Sequence, residues 1–181
     1  PGAGPVVAGA VIRERASLPA ELIDGLDDSK KLKPARRRDL FARLPGHALI
    51  GIGQASVAEI DESNILAATM VAMKRAVAGL GAVPGLALID GNRAPDLACP
   101  CRCVVGGDGK SLSIAAASIA AKVTRDGIMA ELAQSYPGYG WERNAGYGTK
   151  EHRDALKRLG VSVHHRRSFK PIINILGLDS A

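Results

Sequence analysis

The chain has 181 residues, a net charge of +6 and a mean hydropathy near zero, which suits a globular body with a substantial core. No apolar run reaches the roughly 18 residues of a membrane span, the first residues lack the basic start of a secretory signal, and three cysteines are too few for a disulfide framework. A soluble cytoplasmic protein without membrane contact, working as a monomer, is the expectation. The basic balance is compatible with a polyanionic partner but does not identify one.

In chain order, Gly4–Ile12 reads as a buried strand and Pro34–Leu44 as a helix with proline in its first turn. His47–Val57 reads as a strand of small and β-branched residues. From Glu62 to Leu80 the apolar residues Leu66, Met70, Met73, Val77 and Leu80 step by 4, 3, 4 and 3, which predicts an amphipathic helix ended by Gly79 and Gly81. Leu86–Asp90 and Cys99–Val105 read as short strands. Ser111–Ser135 reads as a long helix and Thr149–Gly160 as a further one closed by glycine. Strands alternating with helices predict an α/β domain with some parallel pairing.

Part of the long helix, "SIAAASIAAKVTRD" (113–126), is rich in small residues and presents a face of Ala and Ser. A face without large side chains lets the backbone approach a neighbouring element closely, and it brings Lys122, Arg125 and Asp126 along with it. Asp90 closes a strand and is followed by Gly91. Its plain role is a turn-former, and that of Asp126 is an i,i+4 partner of Lys122. Together, an acid at a strand end and an acid on a close-packed helix can assemble a divalent-metal site. Cys99, Cys101 and Cys103 alternate along one strand face, which is not the curled C-x2-C spacing of a zinc site, and they read as packing. "VVGGDGKS" (104–111) has Val104 where a P-loop requires Gly, so it reads as a glycine-rich helix entry, with Lys110 available to a phosphate.

Four of the six aromatic residues, Tyr136, Tyr139, Trp141 and Tyr147, fall within twelve positions. Tyr136 and Trp141 read as a mini-core. Tyr147, between Gly146 and Gly148, stands where a ligand can come close. Basic residues gather in "DDSKKLKPARRRDLFARL", which holds Lys30 and Lys31, and in "HHRRSFK", which holds Arg166 and Arg167. Each cluster alone reads as solvated surface; two together raise the prospect of phosphate contacts.

The segments "DDSKKL", "IDESNILAATMVAM", "LIDGN", "GGDGKSLSIAAASIAAKVTRD", "AGYGTKEH" and "HHRRSF" occur in the order and approximate spacing of bacterial ribonuclease HII. The chain resembles that family from Pro1 to about Pro171. The resemblance implies a ribonuclease H-like α/β fold: a mixed sheet flanked by helices, one domain over 1–181, with a substrate-contacting C-terminal helical segment from about 136. It implies an endonuclease that cuts the RNA strand of RNA–DNA hybrids and cuts 5′ to single ribonucleotides in duplex DNA, as in ribonucleotide excision repair. The family holds Mg2+ or Mn2+ with four carboxylates. By resemblance, Asp90 is the third of these and Asp126 the fourth. Tyr147 senses the RNA-to-DNA junction, and Lys30 and Lys31 lie near the substrate strand. Lys122, Arg166 and Arg167 are further candidate nucleic-acid contacts.

Two departures qualify the resemblance. The family's D-E-A-G-R-G-type strand, source of the first two carboxylates, has no counterpart from Pro1 onward, so the chain as it stands is expected to be inactive and to require an upstream segment. Ala145 stands where the family often has Lys. Asp61, Glu62 and Asp108 are the acids to consider should the missing pair not be needed. The rival readings are a non-catalytic nucleic-acid binder of the same fold and a nucleotide-binding phosphohydrolase using the 106–111 loop.

Overall fold

The structure is a computed structural model that describes residues 1–13, 18–26 and 31–177. Its elements are β1 (Val6–Arg13), α1 (Ala20–Gly25), α2 (Pro34–Arg43), β2 (Ala48–Ala55), α3 (Val57–Glu62), α4 (Ile65–Ala78), β3 (Ala87–Asp90), β4 (Cys101–Val104), α5 (Leu112–Ser135), α6 (Trp141–Asn144), α7 (Lys150–Leu159) and α8 (Lys170–Leu176). They form two compact units. A sheet unit comprises Val7–Gln54 and Thr69–Val123; a helical unit comprises Pro1–Val6, Ala55–Ala68 and Thr124–Ala181.

In the sheet unit β1 pairs with β2, and β3 pairs with β4. The second pair is parallel, with Ala87 opposite Cys101 and Asp90 opposite Val104. Strand β2 meets α4 through glycine. A Cβ on Gly51 would stand 1.9 Å from the Ala76 carbonyl oxygen, and one on Gly53 would stand 2.0 Å from that of Ala72. The buried ridge of α4 in this unit is therefore Ala72 and Ala76. The 4-3-4-3 stripe lies beside that ridge, and its members are buried to different degrees. Leu66 is 41% exposed, while Met73, Val77 and Leu80 line a cavity of about 430 Å3.

Helix α5 uses its small residues as expected. A Cβ on Gly9 of β1 would fall 2.3 Å from the Ala117 carbonyl oxygen and 3.2 Å from the Ala121 nitrogen. The other side of the helix contributes Ala115, Ala116 and Ile119 to a core with Leu22, Leu40 and Leu44. Those three leucines are fully buried, each stabilising the fold by about 1.5–3 kcal/mol. The cavity is walled by β1, by Leu86–Asp90, by the Met73–Leu80 side of α4, and by Ser113, Ile114, Ala117 and Ala121 of α5. Arg13 also lines it, and the Arg13 Nε is buried with no hydrogen-bond partner.

In the helical unit α3 opens with a capping box: Ser56 Oγ accepts from the Glu59 amide, and the Glu59 carboxylate accepts from the Ser56 amide. The helix expected from Glu62 instead begins at Ile65, because Asn64 Oδ1 accepts from the Ala67 amide at 2.9 Å and restarts the chain as a separate helix. The aromatic segment forms the expected mini-core. Tyr139 and Trp141 stack at 4.9 Å among Met129, Ala155, Leu156 and Ile172. Thr149 caps α7 and Gly160 closes it. The short helices α1 and α3 were not expected, and α6 and α8 fall within the expected C-terminal helical segment. Among the described residues no helix is long and apolar enough to cross a membrane.

Candidate functional site

Asp90 ends β3. Strand alternation buries Ile89 and exposes Asp90, and Gly91, at φ 111°, turns the chain away behind it. Asp90 Oδ1 accepts from the Gly107 amide at 2.9 Å. Gly107 begins a 3-10 turn over Gly107–Gly109. A Cβ there would lie 2.5 Å from Ile114 Cδ1 and 3.4 Å from Asp90 Oδ1, so a larger residue would have to push the Ile114 side chain aside. Lys110 donates to the Val105 carbonyl at 2.8 Å. The glycine-rich loop thus braces a carboxylate and folds its own lysine back on itself.

Asp126 lies half-buried on α5, one turn after the half-buried Lys122 and beside Arg125. Arg125 is buried and grips three carbonyls: Nε donates to Pro5 at 3.0 Å, Nη1 to Ala145 at 2.9 Å and Nη2 to Ala3 at 2.8 Å. Burial pushes its pKa down. Its guanidinium carbon stands 5.8 Å from the centre of the Tyr147 ring. The same helix turn that carries Asp126 therefore also steadies Tyr147, which is 48% exposed. Gly146, at φ 77°, admits the Ala3 carbonyl 2.7 Å from where a Cβ would be.

Arg166 is placed differently from its sequence expectation. It is 2% exposed, and it donates to the Gly4 carbonyl at 2.9 Å and to that of Pro5 at 3.1 Å. Burial, and then the charge of Arg125, push its pKa down to about 10. Its work is to hold the Gly4–Pro5 backbone. Arg167 is exposed, and its amide and that of Ser168 both donate to the Asp61 carboxylate at 2.9 Å. Lys31 is exposed; Lys30 lies outside the described residues. Arg125 and Asp61 are working residues that the sequence did not single out in these roles. The only hint was that each sits inside a motif otherwise read for its neighbours.

The sequence profile described as Ribonuclease HII matches residues 1–172. A ribonuclease HII of Paramagnetospirillum magneticum is 62% identical over 172 residues, covering 95% of this chain and 86% of that protein. The chain belongs to the ribonuclease HII family. Its fold agrees: the ribonuclease H2 of Pyrococcus horikoshii superposes with a TM-score of 0.80 at 26% identity, covering 98% of this chain and 92% of that one. Bst-RNase HIII, solved in complex with Mn2+, shares the fold with a TM-score of 0.74 at 16% identity, covering 98% of this chain and 66% of that one. Ribonuclease HII is a ribonuclease H, a metal-dependent enzyme that cuts RNA paired with DNA. Asp90 and Asp126 offer the hard oxygen donors that Mg2+ or Mn2+ takes, so they fit the metal in kind. In number they fall short: among the described residues no group of three or more His, Cys, Asp or Glu is placed to hold an ion.

Proposed function

We propose that this chain is the body of an endoribonuclease that cuts the RNA strand of RNA–DNA hybrids and cuts 5′ to single ribonucleotides in duplex DNA. Asp90 and Asp126 are two of its four metal-holding carboxylates. The match to ribonuclease HII over residues 1–172 carries this reading. Mg2+ or Mn2+ held by Asp90 and Asp126 with two further carboxylates would supply an activated water and charge stabilisation for the 3′-oxygen, giving a 5′-phosphate and a 3′-hydroxyl. The protein's own residues position and discriminate. Gly107 fixes one oxygen of Asp90. Tyr147 packs against the nucleotide at the RNA-to-DNA junction. Lys30, Lys31, Lys122 and Arg167 meet phosphates and carry little sequence information, and the 2′-hydroxyl marks the place of cutting. Arg166 contributes by holding the backbone of Gly4 and Pro5. The enzyme acts in the cytoplasm, as a monomer, in removing ribonucleotides from DNA.

The other two carboxylates belong to a strand seated between β1 and β3. Three observations support this seat. The strands form two separate pairs, the cavity of about 430 Å3 is walled by both β1 and the β3 segment, and Arg13 Nε is buried beside it without an acceptor. A strand there would join the pairs into one sheet and offer that acceptor.

The test uses the chain joined to a D-E-A-G-R-G-type strand and a duplex with one ribonucleotide. Metal-dependent cutting is expected, and Asp126→Asn should abolish it while leaving duplex affinity within about 3-fold, since phosphate contacts dominate binding. Cutting that survives Asp126→Asn would defeat the assignment. Duplex binding without cutting by the joined chain would favour the non-catalytic binder.

A further inference from the structure

Two histidines are buried in the mini-core of the helical unit, where apolar side chains alone would serve packing. His152 is 1% exposed and His165 is fully buried. Their partners fix their protons. The Ser162 amide donates to His165 Nδ1 at 2.9 Å, so that nitrogen is bare and the neutral ring carries its proton on Nε2. His165 Nε2 lies 3.1 Å from His152 Nε2, and the Trp141 indole N–H also donates to His152 Nε2, at 3.1 Å. Indole nitrogen can only donate, so His152 Nε2 is an acceptor and its proton sits on Nδ1. His152 Nδ1 stands 2.9 Å from the Tyr147 carbonyl oxygen, which can only accept. Obligate donors at one end and an obligate acceptor at the other thus set both tautomers and give every bond in the chain one direction.

The chain ends on the residue whose ring is exposed beside Asp126's helix turn. The same Tyr147 carbonyl accepts from the Thr149 amide at 2.8 Å, and the Tyr147 amide donates to Asn144 at 2.8 Å. The backbone of Tyr147 is therefore held on both sides, and Arg125 packs on its ring. A buried polar chain is costly unless every member is satisfied, and here every nitrogen of both rings has a partner.

We propose that His152 and His165 are positioning residues: their one-way hydrogen-bond chain, from the Ser162 amide to the Tyr147 carbonyl, fixes where the Tyr147 ring stands and so how well the enzyme selects a lone ribonucleotide in DNA. This rests on the ribonuclease reading above and adds to it the means by which the selecting ring is held.

The experiment is a double-mutant cycle in the chain joined to its acidic strand. Cleavage is measured on a duplex with one ribonucleotide and on a continuous RNA–DNA hybrid. His152→Leu should lower kcat on the first by ~10-fold, the lower end of what one aromatic contact to a base contributes, with KM and hybrid cleavage little changed. His152→Asn, which keeps a donor at the position of Nδ1, should restore most of the loss. In a Tyr147→Ala background His152→Leu should cost nothing more, because its effect passes through the ring. Should His152→Leu fail to fold, His165→Gln cuts the Ser162 link and should give a smaller loss that likewise vanishes with Tyr147→Ala. Nitrogen chemical shifts provide a readout independent of activity: His152 should be protonated on Nδ1 and His165 on Nε2. The opposite tautomers, or a His152→Leu loss of equal size with and without the Tyr147 ring, would overturn the proposal. A joined chain that cuts neither duplex defeats the ribonuclease reading and the selection role with it, whereas a cutting chain with additive losses defeats the histidine role alone.

Discussion

Gly53 shows how tightly single residues are constrained here. Its missing Cβ leaves room for the backbone of α4, with Ala72 O and Ala76 N both within 2.3 Å of where that atom would be. Gly53→Ala must push the helix off the strand, and a loss of about 1–3 kcal/mol is expected, read as a lower denaturation midpoint at unchanged m-value. Gly46→Ala, with open space around it, should change stability little in the same assay. The histidine pair makes a second prediction. Burial lowers the pKa of His152, and burial together with the charge of His152 lowers that of His165 to about 4, against an ordinary value of 6.5. The unfolded chain therefore takes up protons that the folded chain refuses. Stability from this pair is fully present above pH 6.5 and is lost as pH falls from 6.5 towards 4. Urea titrations across that window should show it, and His165→Gln should flatten the slope. Of these residues the sequence revealed little. "HHRRSF" read as a basic patch, yet His165 and Arg166 are buried and of the two arginines Arg167 alone faces out, because burial of a polar side chain depends on partners far along the chain.

At the scale of elements, α5 was legible and α4 only half so. The Ala and Ser run of α5 announces a close backbone approach, and Gly9 against Ala117 is that approach. The 4-3-4-3 stripe of α4 marked a real helix, but not the Ala72 and Ala76 ridge that meets β2, since the pattern could not reveal that this strand would present Gly51 and Gly53. Asp90 was legible as a strand end; its bond to Gly107 was not, because the loop read only as a glycine-rich entry to the helix and nothing in it pointed back to the strand. The Asp61 link is of the same tertiary kind. From the end of α3 it accepts from both the Arg167 and Ser168 amides and from Ser168 Oγ at 2.6 Å. Asp61→Ala leaves those donors to water and should loosen Arg167. Affinity for any duplex should fall and the slope of log affinity against log salt should flatten by up to about one phosphate contact, measured by titration at several salt concentrations.

For the molecule as a whole, the family and fold were legible because long motifs in fixed order are specific. The arrangement of strands in two pairs was not, because pairing depends on what lies between them. Unpaired strand edges invite intermolecular pairing, and each buried unpaired backbone group costs about 1–3 kcal/mol against a total stability of about 5–15 kcal/mol. Joining an acidic strand to the chain should consequently raise its denaturation midpoint and lower any self-association, visible by light scattering. The most direct test of the account is to map incision on an end-labelled DNA duplex holding one ribonucleotide, with Mg2+ or Mn2+, using the chain with and without that strand. The account predicts a single nick 5′ to the ribonucleotide, leaving a 3′-hydroxyl, only when the strand is joined. Efficient cutting by the 181 residues alone, or none by the joined chain, would contradict it.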